Sequence, residues 1–165
     1  MLLNLKEIAD KAGSVPFQAE LDLSDLRFGT CCPIQEPVKA EGRVVNSADV
    51  LRMTGNVRAV LHGVCDRCAK EFTRTVDFPL QALLVDSLED ESDEDEWTFC
   101  LEDQCADLTD IITSTVVLNM DTQLLCKEDC KGLCFRCGKD LNDGPCDCQP
   151  ETDPRLAVLQ KLLDR

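Results

Sequence analysis

Twelve cysteines stand among 165 residues, and six of them fall in the 23 positions of CKEDCKGLCFRCGKDLNDGPCDC, residues 126–148. Thiols this close suit disulfides, a metal or redox exchange, and the compartment decides among them. The stretch MLLNLKEIADKAG has an acidic residue by its seventh position and no long apolar run, so it does not read as a signal peptide. No segment approaches the roughly 20 apolar residues of a membrane span. The expected location is therefore the cytoplasm, where thiols stay reduced. Reduced thiols at close spacing point to metal.

Cys134 and Cys137 form the sharpest pair. Two intervening residues and the following Gly138 allow a tight turn that aims two sulfurs at one ion, with backbone N–H groups stabilising the thiolates. Two other pairs can complete a tetrahedral set. Cys146 and Cys148 return after the polar turn DLNDG, and Cys126 and Cys130 lie just upstream. The return loop favours Cys146 and Cys148, because it brings the second pair from the opposite side. One structural zinc ion is expected, since an all-cysteine site leaves no position open for a catalytic water. The acidic neighbours Glu128, Asp129, Asp140 and Asp147 also oppose the low thiol pKa values that redox work requires.

Cys65 and Cys68, in HGVCDRCAKEF, repeat the spacing with no partner pair nearby in sequence. A strand-connecting turn that buries two thiols is the first expectation. Half a zinc site completed in space is the second, and a reducible dithiol the third. Cys31, Cys32, Cys100 and Cys105 read as core or unpaired thiols. Other catalytic machinery is sparse: one histidine, His62, no glycine-rich phosphate loop, and no paired carboxylates outside an acidic block. That block, 86–96, holds eight carboxylates and reads as a solvated loop. The expectation is a chain that is not an enzyme and has no small-molecule substrate.

The net charge of −15 argues against indiscriminate binding to nucleic acid. It is unevenly spread. From Val38 to Thr75 there are seven basic residues against four acidic ones. A sheet face bearing Arg43, Arg52, Arg58, Arg67, Lys70 and Arg74 is a candidate anion-binding surface, although strand alternation turns some of these side chains away. Basic residues at strand edges also serve solubility alone.

These residues must be carried by elements, and the apolar pattern suggests which. The first dozen residues suit a short amphipathic helix ended by Gly13. VPFQAELDL alternates with period two and predicts a strand. VKAEGRVVNS, VLRMTGNVRAVLHGVC and EFTRTVDFPLQALLVDS predict an antiparallel meander, and WTFCLED a further strand. DLTDIITSTVVLNM predicts a helix capped by Asp107 or Thr109, with Leu108, Ile111, Ile112, Thr115 and Val116 on one side. DPRLAVLQKLLDR predicts a C-terminal helix with Asp153 as cap and Pro154 at its first position. The expected fold class is α+β: an antiparallel strand-rich body with a few helices over 1–125, a cysteine-rich zinc-binding loop over 126–148, and a helix within 149–165 docking on the body.

CDRCAKEF at 65–72, LCKEDCKGLCFRCGKDLNDGPCDC at 125–148 and DPRLAVLQKLL at 153–163 together resemble the YceD family, the large ribosomal RNA subunit accumulation proteins of bacteria and plastids. Their order and spacing match across nearly the whole chain. The commoner form of the family's knuckle has proline after the third cysteine, where this chain has Phe135; the ligands are unaffected. The resemblance implies a non-enzymatic factor in synthesis, processing or stability of large-subunit (23S) ribosomal RNA. It carries Cys65, Arg67, Cys68 and Phe72 over as a signature turn, kept by members that lack the downstream cysteines. Combined with the basic region, this makes ribosomal RNA or its precursor the expected partner. A protein–protein adaptor in ribosome assembly is the alternative, and a thiol-redox sensor the third reading.

Overall fold

In the computed structural model, residues 1–9, 11–29, 31–47, 50–86 and 97–148 are described. Seven strands and one helix follow in chain order: β1 (Leu2–Asn4), β2 (Gly13–Leu21), β3 (Val38–Ser47), β4 (Val50–Val64), β5 (Glu71–Val85), β6 (Thr98–Cys100), β7 (Cys105–Asp107) and α1 (Leu108–Asn119). Strands β2 to β6 form one sheet in sequence order, and β1 pairs with β7 in a small second sheet. The meander is antiparallel from β2 to β5, as its alternation predicts, while β6 joins β5 in parallel. The class is α+β, as expected.

Alternation decides the two faces of the sheet. Val38, Ala40 and Val44 of β3, Met53, Val57 and Leu61 of β4, and Phe78, Leu80 and Leu84 of β5 point inward and are buried. Helix α1 packs against this face and against β1, burying Leu108, Ile111, Ile112, Thr115 and Val116, the five residues its periodicity selects. The Asp107 carboxylate accepts the Thr109 backbone N–H at 2.8 Å and caps the helix. The β-branched residues lower helix propensity, but burial of that stripe outweighs it. Gly42 of β3 faces Gly55 of β4, and Phe17 lies opposite Gly42. A Cβ on Gly42 would stand 2.3 Å from the Thr54 carbonyl oxygen and 2.9 Å from the Phe17 ring, so the sheet closes tightly at this point.

One expected helix is absent. Residues Leu2–Asn4 are a strand paired to Cys105–Asp107, followed by a turn that buries Leu5 and Ile8. Pairing with a strand a hundred residues away prevails over the weak local helical period. Most of the acidic block (87–96) and the expected C-terminal helix (153–165) lie outside the described residues. Among the described residues, no helix is long and apolar enough to cross a membrane.

Candidate metal centres

The β4–β5 register runs from Leu51 opposite Leu84 to Val64 opposite Glu71, which puts residues 65–70 at the tip of the longest hairpin. There the backbone folds into a knuckle. The Cys65 N–H donates to the Lys70 carbonyl at 2.9 Å and the Ala69 N–H to the Cys65 carbonyl at 2.8 Å, with Ala69 at φ 56°. Residues 134–139 repeat it: the Cys134 N–H donates to the Lys139 carbonyl at 2.8 Å and the Gly138 N–H to the Cys134 carbonyl at 2.9 Å, with Gly138 at φ 70°. The two segments, CDRCAK and CFRCGK, share cysteines, arginine and lysine in register. That short internal repeat is the sequence signal that marks Cys65 and Cys68 as a candidate metal half-site.

Each knuckle is completed by a second pair of thiols. Cys65, Cys68, Cys126 and Cys130 make one set, and Cys134, Cys137, Cys146 and Cys148 the other; within each, the four sulfurs lie within 4.8 Å of one another. All are free thiols. Cys65 and Cys130 sulfurs are 3.8 Å apart, and those of Cys68 and Cys126 3.7 Å. A tetrahedron with metal–sulfur bonds of about 2.3 Å has edges of about 3.8 Å, whereas a disulfide needs about 2.05 Å. Two cysteine clusters able to hold a metal ion therefore stand where the sequence suggests one. Both pairs weighed as partners for Cys134 and Cys137 are used: Cys146 and Cys148 by that knuckle, Cys126 and Cys130 by the hairpin knuckle. The expected turn at Cys65 and Cys68 and the expected half-site are the same structure.

Local dipoles prepare one thiolate in each set. Burial opposes ionisation of Cys65, but N–H groups of Cys126, Cys68 and Arg67 override it and bring its pKa down to about 6. At Cys134, N–H groups of Cys137 and Arg136 do the same, also to about 6. In each set another thiol resists a second negative charge beside the first. Burial followed by the bond to Cys130 pushes Cys126 up to about 12, and the bond to Cys137 followed by burial pushes Cys148 up to about 12. A cation at the centre removes that resistance, as metal binding to thiols generally does.

The two sets are stitched together. The Leu133 N–H donates to the Arg67 carbonyl at 3.0 Å, and Arg67 Nη1 donates to the Cys130 carbonyl at 3.0 Å. Asn142 donates Nδ2–H to the Cys130 sulfur at 3.4 Å, while its Oδ1 accepts the Lys131 N–H at 3.0 Å. Lys70 meets Asp140 at 2.6 Å and Asp143 at 3.7 Å; the ammonium, with the Asn142 N–H, holds the Asp140 pKa at about 2. Gly132 is required at the crossing, since it sits at φ +73° and a Cβ would lie 2.9 Å from the Arg67 carbonyl oxygen.

The six cations of the candidate RNA face do not share one surface. Arg43, Arg52 and Arg58 lie on the outer face of the sheet. Arg58 is paired with Asp77 at 2.7 Å, and Lys39 on the same face with Glu20 at 3.3 Å. Arg67 and Lys70 are committed to the cysteine loop, as above. Arg74 alternates onto the side of Phe72 and Val76 and reaches Asp121 at 3.3 Å. Phe72 of the signature turn is half-buried against both the main core and the Cys65–Cys68–Cys130 cluster. None of Cys31, Cys32, Cys100 and Cys105 is buried in the core.

One polar relay is not legible in the sequence: the Thr73 hydroxyl lies 3.1 Å from His62 Nδ1, and His62 Nε2 lies 3.3 Å from Glu36. The same stretch ties a loop to β4, through the His62 N–H to the Pro33 carbonyl at 2.7 Å and an Ile34–Leu61 bridge. The relay thus fastens the 33–36 loop to the sheet.

The chain matches the model of a family described as large ribosomal RNA subunit accumulation protein YceD over residues 53–163. It is 32% identical over 123 residues, 73% of this chain and 59% of the relative, to an uncharacterized protein of Mycobacterium tuberculosis. It is 25% identical over 184 residues to the chloroplastic large ribosomal RNA subunit accumulation protein YCED homolog 1 of Arabidopsis thaliana, and 26% identical over 157 residues to that of Zea mays. These alignments cover 94% and 77% of this chain and 56% and 54% of the relatives, so the chain spans a little over half the length of the curated proteins it matches. No solved structure matches it. With the match covering most of β4, the hairpin knuckle and both cysteine sets, the chain belongs to the YceD family.

Proposed function

We propose that the chain is a non-enzymatic factor in large-subunit ribosomal RNA accumulation, built around two structural zinc ions, and that the outer sheet face contacts the RNA. The observation that carries the RNA contact is the pairing state of the cations. Arg43 and Arg52, on adjacent strands, have no carboxylate partner among the described residues, whereas Lys39, Arg58, Lys70 and Arg74 all have one. Thr54 and Asn56 extend the same outer face with polar groups. Guanidinium groups held on a rigid sheet suit phosphate oxygens.

The donor sets support zinc: four thiolates in a tetrahedron leave no open coordination position, as in structural sites, and thiols stay reduced in a cytoplasm. Cys65, Cys68, Cys126 and Cys130 would hold one ion and Cys134, Cys137, Cys146 and Cys148 the other. Elemental analysis of the purified protein should give two zinc ions per chain, falling to one in Cys137→Ser. Iron in their place would revise the metal.

The RNA reading is tested by binding of the metal-loaded protein to fragments of large-subunit RNA across salt concentrations. The doubly substituted R43E/R52E protein, with unchanged metal content, should bind at least tenfold more weakly and show a shallower salt slope. Wild-type protein that binds no RNA at physiological salt would defeat this reading and favour the adaptor.

A further inference from the structure

The two knuckles share a backbone but treat their tips differently. At the hairpin knuckle, the tip is engaged by the chain itself. The Asp66 carboxylate accepts the Leu124 N–H at 2.7 Å, the Asp66 N–H donates to the Leu124 carbonyl at 2.8 Å, and Arg67 bonds Cys130 and Leu133. At the second knuckle the residue in Asp66's place is Phe135, and its ring is 84% exposed, the most exposed of the large hydrophobic side chains among the described residues. Burial alternates from Lys131 to Phe135, so Lys131, Leu133 and Phe135 stand on the outward side, with Leu133 40% exposed.

Charge narrows what this tip receives. Residues 131–139, KGLCFRCGK, contain three cations and no carboxylate in a chain of net charge −15. The nearby Asp140 and Asp143 are turned to Lys70, and Asp147 lies on the return loop. Four thiolates around a divalent ion carry −2, which the ammonium groups of Lys131 and Lys139 offset at the surface. A flat apolar ring flanked by ammonium groups matches a ligand with a planar face and a polyanionic backbone. Duplex RNA hides its base faces in the stack; unpaired RNA offers them.

We propose that the 134–139 knuckle is a docking site for single-stranded RNA, with an unpaired base stacked on Phe135 and flanking phosphates met by Lys131 and Lys139. The site is distinct from the sheet face, and rests on the reading of the chain as an RNA-binding factor. The ion and the Cys134–Cys137 turn hold the ring out from the fold, and the stitching to the hairpin knuckle fixes its direction relative to the sheet.

The test uses the full chain loaded with zinc and a fluorescently labelled, unstructured RNA oligonucleotide, alone and annealed to its complement. Binding is followed by anisotropy, with metal content measured for every variant. Phe135→Ala should weaken binding to the single strand roughly fivefold or more and leave binding to the duplex unchanged. Phe135→Trp should keep the affinity, and its emission should be quenched by the single strand, against a wild-type background of Trp97 alone. Equal affinity of wild type and Phe135→Ala for the single strand, with loss in R43E/R52E, would overturn this inference and leave the sheet-face reading intact. Loss of association with large-subunit particles in Phe135→Ala, without any change toward RNA, would overturn it in favour of a protein partner. Wild-type protein that binds neither RNA form would overturn both readings.

Discussion

The thiols within each cluster are unequal before a metal arrives. Cys65 and Cys134 are held near pKa 6 by backbone N–H groups, while Cys126 and Cys148 are pushed to about 12. A metal must displace protons from the latter but not, at neutral pH, from the former. Proton release per zinc ion, measured by calorimetry in buffers of different ionisation enthalpy, should therefore rise as pH falls through about 6, where Cys65 and Cys134 regain their protons in the metal-free protein. Affinity should fall over the same range. A constant proton count between pH 5 and 8 would contradict the assignment. At the crossing of the two knuckles, Gly132→Ala introduces a Cβ 2.9 Å from a backbone oxygen at a left-handed φ. It should cost about 1–3 kcal/mol, read as a lower melting temperature and faster zinc transfer to a chelator.

Among elements, α1 and the β4–β5 hairpin carry the most structure. The sequence identifies α1 closely: its cap, its buried stripe and its end agree with the structure because all three depend on residues within a turn or two of one another. Asp107→Ala should lower stability by about 0.5–2 kcal/mol in chemical denaturation without changing metal content. The hairpin shows the opposite limit. Strand alternation announces β4 and β5, but the side of the sheet on which each cation lies depends on register. Arg74 is therefore on the inner side while Arg58 is on the outer. The short β1 carries a local helical pattern, and its three residues offer too little to reveal a partner at Cys105–Asp107.

In the whole molecule, the cysteine loop is fastened to the sheet rather than appended to it. One metal set takes two thiols from the hairpin tip and two from the segment after α1. The loop has few apolar residues, so on the proposed reading a bound metal would supply much of its folding free energy. The core of β2–β5 and α1 forms a cluster separate from that of Cys65, Cys68 and Cys130, the two meeting at Phe72. Chelation followed by hydrogen exchange should loosen residues 126–148 together with the hairpin end around 64–72, and leave central β3 and β4 protected. Protection lost throughout the sheet would mean the ions hold the entire fold.

The sequence by itself determined the local things: the knuckle spacing of Cys134 and Cys137, strands β2–β6 and helix α1, the uneven charge, and the family motifs. Each is set by residues a few positions apart, where periodicity and turn chemistry act. Only the tertiary structure decided which thiols gather into one set. Cys68 and Cys126 are 58 residues apart and meet because the β4–β5 hairpin carries one to the sheet end and α1 returns the chain to the same place. The exposure of Phe135 was decided there too, since among the described residues the fold places little over that ring.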